Sequence, residues 1–287
     1  MATLLDPAFL RELEAIRRRL LVRVASGAAG EHTARRRGGS AEFLEHRAYD
    51  QGDDPRRIDW LAYARTGEPV VKQFRAEEDM IVRLVVDASA SLEGEKIGVA
   101  TRIAAALGYM GLASSERVQV IPYSDTARPA SRPARGRGGL PALLRTLGDL
   151  APAGGTRLSS AVDVALAHGR PGLLVVISDF FDSTGFEPTL SRARASGHDV
   201  VLVQVLTREE VQPTLRGDLV LEDAETGESI TLTADPDSID AYLARLAGLF
   251  QMLRRWARTH RATYVRVVTD ERIEDAVRRI VDRRVDA

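Results

Sequence analysis

The sequence predicts an α/β protein: a doubly wound, mostly parallel sheet flanked by helices, with a helical and irregular N-terminal extension. Three observations carry this. From Met80 onward, short β-branched runs alternate with stretches of helical period, the pattern of strand–crossover–strand units. Each run is almost continuously apolar, as in strands covered on both faces. The chain has 287 residues, 44% of them apolar, enough to enclose a large core.

The elements follow in order. Phe9, Leu13, Ile16, Leu20 and Val24 recur at helical spacing and predict a helix from about Pro7 to Ala25. A Gly- and Arg-rich segment, Gly27 to Gly39, comes next. Then follows a polar, turn-rich stretch whose one strand signal is Val70–Phe74. Residues 1–79 are therefore read as an N-terminal extension and 80–287 as the main domain. Its expected strands are Ile81–Val86, Val118–Ile121, Leu173–Ile177, Val200–Val205 and Tyr264–Val268. Leu158, Ala161, Val162, Ala165 and Leu166 share one helix face. Ile239, Tyr242, Leu243, Leu246, Leu249, Phe250, Leu253 and Trp256 share another, after the start signal Asp235-Pro236-Asp237. Two inserts interrupt the alternation. Thr126–Arg145 holds five arginines and no acid, and part of it can return as an antiparallel edge strand beside Val118–Ile121. Leu219–Leu232 alternates about the turn Glu225-Thr226-Gly227-Glu228 and predicts a hairpin insert near 213–234.

Composition removes several function classes. The net charge of −1 opposes a whole-protein field for nucleic acid or membrane. The absence of cysteine excludes disulfides, thiolate zinc sites and cysteine nucleophiles. No apolar run reaches the roughly 18–20 residues of a spanning helix, and the N-terminus lacks a secretory pattern. A soluble, cytoplasmic protein is expected. There is no G-x-S-x-G, no G-x-x-x-x-G-K-[ST] and no H-E-x-x-H, so no catalytic role is expected. The five histidines form no ligand spacing.

Ligands of open α/β sheets sit beyond the carboxyl ends of the strands. Three such places offer oxygen donors. Asp87-Ala88-Ser89-Ala90-Ser91 follows the first strand, Ser178-Asp179 follows the third, and Gly154-Gly155-Thr156 precedes a helix. Alternation in D-x-S-x-S lets Asp87, Ser89 and Ser91 point to one side; Thr156 adds a hydroxyl and Asp179 a carboxylate. Hard oxygen donors without His or Cys suit Mg²⁺ or Mn²⁺. If the carboxylates act partly through water, the ion keeps positive character and favours a carboxylate from a partner protein. Each segment also has a plainer reading, a capped turn or a loop acid; the combination of three favours the metal.

DASAS, GGT and ISD together resemble the metal-ion-dependent adhesion site of von Willebrand factor A domains. The resemblance covers about Met80 to the C-terminus and implies Asp87, Ser89, Ser91, Thr156 and Asp179 as metal ligands. The stretch GEHTARRRGGSAEFLEHRAYDQGDDPRRIDWLAYARTGEPVVKQF is similar to the signature of the bacterial "domain of unknown function 58" family. That resemblance implies a partner or adaptor of a MoxR-type AAA+ ATPase in assembly or maturation of other proteins. Elsewhere, Asp50, Asp53, Asp54 and Asp59 with Arg47, Arg56 and Arg57 read as an ion-paired loop, and Trp60 and Tyr63 as packing anchors. Asp125 and Asp182 read as solvated loop acids near the rim of the site. Two alternatives stay open: a metal-dependent phosphohydrolase at the same site, and an anion or nucleic-acid binder using Arg35–Arg37 and the Arg128–Arg145 cluster, which lacks interleaved aromatics.

Overall fold

The computed structural model describes residues 4–25, 42–50, 53–55, 58–75, 81–125, 131–167, 170–181 and 185–282. Contacts divide the chain into two compact units, Met1–Ala29 with Met80–Ala287, and Gly30–Asp79. The boundary between residues 79 and 80 is kept, but the expected extension 1–79 is divided, and its first helix belongs with the main unit. Helix α1 (Pro7–Ala25) buries Phe9, Leu13 and Ile16, with Leu5 just before it, in the same core cluster as Ile103, Ala106, Val277 and Ile280. An isolated 19-residue amphipathic helix is marginal in water, so its apolar stripe is held by a partner surface. Asp6 caps it, its Oδ1 accepting from the amides of Ala8 and Phe9. The side chains of Leu20 and Val24 lie outside the described residues.

The small unit pairs strand β1 (Glu42–Ala48) with β2 (Val70–Arg75) antiparallel, and carries the short helix α2 (Trp60–Thr66) between them. Arg47 pairs with Asp53 at 2.7 Å and Asp50 at 3.2 Å, and Asp59 caps α2 by accepting from Leu61 N and Ala62 N. The acids there are used as a structural loop uses them. Arg56 and Arg57 lie outside the described residues, as does Arg35–Arg37. The expectation for Trp60 and Tyr63 was wrong: they are 61% and 43% exposed, and Leu61 is 72% exposed. A seven-residue helix with no buried residue has no core to anchor.

In the main unit β3 (Ile81–Asp87) leads to helix α3 (Glu95–Ala113), β4 (Arg117–Tyr123), the two-residue strand β5 (Ala134–Arg135) and α4 (Leu140–Gly148). Then come α5 (Leu158–Ala167), β6 (Leu173–Ser178), α6 (Glu187–Ala195), β7 (Asp199–Leu206) and α7 (Arg208–Val211). The hairpin β8 (Gly217–Glu222) and β9 (Ser229–Ala234), α8 (Pro236–Thr259), β10 (Thr263–Val268) and α9 (Ile273–Val281) complete it. The six-stranded sheet has the order β10-β7-β6-β3-β4-β5, parallel except for β5. The five expected strands, the antiparallel edge and the hairpin are all present. Helix α4 was not read from the sequence, because it follows an Arg- and Gly-rich stretch that hides its period.

Two cores flank the sheet. Side-chain alternation along β3 sends Val82, Leu84 and Val86 into one, with α1, α3, α4 and α9, and Val85 into the other, with α5, α6 and α8. Every residue of β3 is buried. Alternation therefore puts Asp87 on the face of Val85, at the carboxyl end of a central strand. The hairpin forms a separate two-stranded sheet. Among the described residues, no helix is long and apolar enough to cross a membrane.

The assignment of α1 to the main unit has a measurable consequence. Leu13→Ala, at a fully buried position, is expected to cost about 2–5 kcal/mol in urea unfolding. Leu61→Ala on α2 is expected to change stability by less than about 0.5 kcal/mol. Equal effects would contradict the division.

Candidate metal centre

The fold brings the three predicted segments together. Asp87 ends β3, opposite Tyr123 in the β3–β4 register, and Val86 pairs with Ile177 of β6. Ser178 and Asp179 thus emerge beside Asp87. The loop after β3 is tied to the loop before α5 by two backbone hydrogen bonds: Ala153 N donates to Ala88 O and Ala90 N to Gly154 O, both at 2.9 Å. Ser89 begins the short 3₁₀ turn Ala90–Leu92, and its Oγ lies 3.0 Å from that of Ser91. Gly154 has φ +75, and a Cβ there would meet the Asp125 carboxylate at 2.8 Å. Glycine is the residue that fits both conditions. Asp125 is exposed at this rim, as expected, and Asp182 lies outside the described residues.

Asp87 is fully buried. Its Oδ1 accepts from Ser89 N at 2.9 Å; its Oδ2 accepts from Ser178 Oγ at 2.6 Å and Tyr123 Oη at 3.2 Å. Burial pushes its carboxyl up to about 6, opposed by the Ser178 hydroxyl and reinforced by the charge of Asp179. Burial, with Asp87 beside it, raises the Tyr123 phenol well above its ordinary value, so it stays a donor. Among the described residues no cation pairs with Asp87.

Asp179 differs: its Oδ2 accepts from Lys96 Nζ at 2.9 Å and its Oδ1 from Phe181 N at 3.1 Å. Lys96 also donates to Glu210 Oε1 at 2.7 Å. Burial works against the charged form of Lys96, but Asp179 and Glu210 outweigh it and raise its pKa. The backbone turns sharply here, since Phe180 sits at φ +60, a strained value for a bulky residue. Phe180 N donates to Ser178 Oγ, and the Phe180 ring packs edge-on against Phe186 at 5.8 Å. These contacts hold the turn that carries Asp179.

Thr156 is half-buried. Its Oγ1 donates to Glu225 Oε1 at 2.6 Å and its amide to Glu225 Oε2 at 3.2 Å. Ser91 is half-buried as well, whereas Asp87, Ser89 and Asp179 are buried. The site therefore opens to solvent on the Thr156–Ser91 side.

The donors fit a hard divalent cation. Two carboxylates and three hydroxyls supply oxygen only. Both carboxylates are already engaged by the chain's own donors, which suits contact through water. Among the described residues no group of three or more His, Asp or Glu side chains is arranged to hold a metal, so any such site has to draw on the hydroxyls.

The family described as "Protein of unknown function DUF58" matches residues 45–247. The chain belongs to the DUF58 family. The chain is similar to the "Uncharacterized protein Rv1480" of Mycobacterium tuberculosis, 34% identical over 266 residues, covering 89% of this chain and 83% of that protein. "Uncharacterized protein MAV169" of Mycobacterium avium is 34% identical over 158 residues, covering 53% of this chain and 93% of that protein. Among solved structures, the chain is similar to BatB from Bacteroides thetaiotaomicron, with TM-score 0.46, 15% identity and coverage of 71% and 97% of the two chains. It is also similar to the vWF domain of the pili tip protein Mfa5 from Porphyromonas gingivalis, with TM-score 0.30, 13% identity and coverage of 70% and 86%.

Sequence reasoning missed four residues of this site, Lys96, Tyr123, Glu210 and Glu225, and named Ser178 without giving it the role of a donor to Asp87. Lys96 had a signal, because it shares helical spacing with Val99, Ala100 and Ile103, all buried; a lysine on an apolar face needs a buried acid. Glu225 had none, as an acid in a hairpin turn is ordinary. The arginine cluster is partly used internally: Arg135 Nε donates to Ser115 O, and Arg137 pairs with Glu14. Arg128 lies outside the described residues.

Asp87 makes stability depend on pH. The folded chain holds its proton to about pH 6, whereas the unfolded chain releases it near 3.8. The stabilisation by that proton is complete below pH 4 and lost above pH 6, by ~3 kcal/mol as an order of magnitude. In chelator, Asp87→Asn is therefore expected to gain on the wild type as pH rises from 4 to 7.5, read by urea unfolding at each pH. A constant difference would remove the desolvation argument.

Proposed function

We propose that this DUF58 protein is an interaction module that docks partner proteins through a divalent cation, Mg²⁺ or Mn²⁺, in the cytoplasm. One observation carries the reading: five oxygen-bearing side chains gather on three segments at the carboxyl end of the sheet, with Asp87, Asp179 and Ser89 buried and Ser91 and Thr156 toward the open rim. Ser89, Ser91 and Thr156 would coordinate directly. Asp87 and Asp179 would act through water, since their own oxygens already accept hydrogen bonds. The bound ion would supply a positive centre that accepts an Asp or Glu carboxylate from the partner.

The remaining steps belong to the chain. Ser89 N, Ser178 and Tyr123 hold Asp87 in one orientation, so little ordering is left for the moment of binding. Lys96 keeps Asp179 in place and balances part of the local negative charge. The sequence resemblance to the family implies a MoxR-type AAA+ ATPase as partner, which is the partner proposed here. Among the described residues, the acid nearest the rim hydroxyls, Glu225, has both oxygens taken by Thr156 and none left to accept a proton from water, so docking is favoured over hydrolysis.

The test uses the full chain with a purified MoxR-type ATPase from the same organism. Binding by isothermal titration in Mg²⁺ is expected to weaken at least ~100-fold in chelator, about 2.7 kcal/mol. Asp87→Asn is expected to weaken it similarly in Mg²⁺ while keeping its circular dichroism. Unchanged affinity in both conditions would remove the cation from the mechanism.

A further inference from the structure

The hairpin β8–β9 is built unlike the rest of the main unit. Among the described residues it shares no strand pairing with the six-stranded sheet. Most of its residues are exposed, including Val220 at 70% and Ile230 at 60%. A lone two-stranded hairpin is marginal by itself, so its tip needs a reason to be shaped. The tip is shaped closely. Asp223 Oδ1 accepts from Glu225 N at 2.8 Å and Thr226 N at 3.0 Å, and Gly227 N donates to Asp223 O at 2.8 Å. This turn presents Glu225 to Thr156, sixty-nine residues earlier in the chain.

The contact is specific. Both oxygens of one carboxylate are taken by one residue, Oε1 by the Thr156 hydroxyl and Oε2 by its amide. A Cβ on Gly155 would lie 3.3 Å from Oε2, so the bare glycine lets the carboxylate settle against the loop. The geometry has a further property. A threonine hydroxyl has one proton and two lone pairs. By giving its proton to Glu225, Thr156 turns its lone pairs away from that carboxylate and leaves them free to coordinate. Glu225 thus sits on the solvent side of a hydroxyl assigned to the metal, which is the side open to an incoming acid.

We propose that Glu225 is a built-in carboxylate latch: the hairpin tip covers the rim at Thr156 where a partner's Asp or Glu would dock, and a partner binds only when the hairpin lifts. This rests on the cation-bridged reading above. The latch also describes the ligand it excludes, an acidic side chain presented on an exposed tight turn. Among the described residues, lifting the tip breaks its two hydrogen bonds to Thr156 at a solvent-exposed edge, while the base of the hairpin can stay tied to α8 through Ser238 Oγ and Thr233 O. The closed state subtracts from apparent affinity by the fraction of molecules that are open.

The experiment uses the full chain, Mn²⁺ and a blocked Gly-Glu-Gly peptide as the carboxylate probe. Mn²⁺ binding is read by electron paramagnetic resonance, and peptide affinity at saturating Mn²⁺ by the change in water-proton relaxation. With an arm closed about nine-tenths of the time, Glu225→Gln should bind the peptide ~10-fold tighter than wild type. Hydrogen exchange at 154–156 and 223–227 should rise in the same variant. Equal peptide affinity in two proteins that both bind Mn²⁺ would overturn the latch and leave the metal site standing. Failure of both proteins to bind Mn²⁺ would overturn the docking reading, and the latch with it. An affinity gap that disappears on tenfold dilution of protein would assign the contact to a second copy of the chain and likewise overturn a latch in cis.

Discussion

The structure depends on a carboxylate taken out of water at the end of a central strand. Asp87 is buried where β3 ends, and an isolated charge there is costly. What surrounds it follows from that cost. Ser89 N, Ser178 and Tyr123 each give a hydrogen bond, and these donors come from three places: the loop after β3, the end of β6 and the end of β4. Satisfying one side chain therefore joins three adjacent strands at their carboxyl ends. Even so, the carboxyl remains raised to about 6. Three donors do not replace water fully, and a positive charge nearby would complete what they leave undone.

A second polar chain supports Asp179 from the other side. Tyr264 Oη donates to Gln204 Oε1 at 2.6 Å, and Gln204 Nε2 donates to the Asp179 carbonyl at 2.9 Å. Tyr264, Gln204 and Ser178 lie on β10, β7 and β6, so the link crosses the buried sheet from its far edge. Its members are satisfied by one another, which is the condition under which a buried polar network rigidifies a core. The Asp179 turn is thus held through its backbone by this link, through Phe180 by packing, and through its side chain by Lys96.

How much of this was legible in the sequence depended on whether a residue's partner was local. Strands such as Leu173–Ser178 are continuous apolar runs, and a run can be read without knowing what covers it. The D-x-S-x-S loop was legible because its alternation is local. The convergence of Thr156 and Asp179 on it followed from topology alone, since a parallel sheet gathers its strand ends. The role of α1 was not legible, because an amphipathic helix declares a buried face but not the surface that buries it. The exposure of Trp60 was misread for the mirror-image reason: large aromatics pack when a core exists, and the small unit, with one two-stranded sheet and a helix of seven residues, supplies little. Lys96 and Glu225 were missed because their partners stand 83 and 69 residues away.

Charge balance connects these features to the proposed cation. Around the carboxyl end of the sheet stand Asp87, Asp125, Asp179, Glu210 and Glu225, and Lys96 is the ammonium partner of Asp179 and Glu210. Lys96 reaches Asp179 and Glu210 at 2.9 and 2.7 Å, and its charge is divided between them. Glu210 is otherwise occupied, its Oε2 accepting from Thr207 N in a capping box that starts α7. The unbalanced charge therefore lies on the Asp87–Thr156 side, away from Lys96 and toward solvent. A monovalent ion there would offset about one carboxylate and have little left to attract another. A divalent ion would offset Asp87 and keep positive character directed at the rim. On this argument Lys96 has a part in docking without touching the partner: by answering Asp179 from within the protein, it leaves the proposed ion's second charge for a carboxylate from outside.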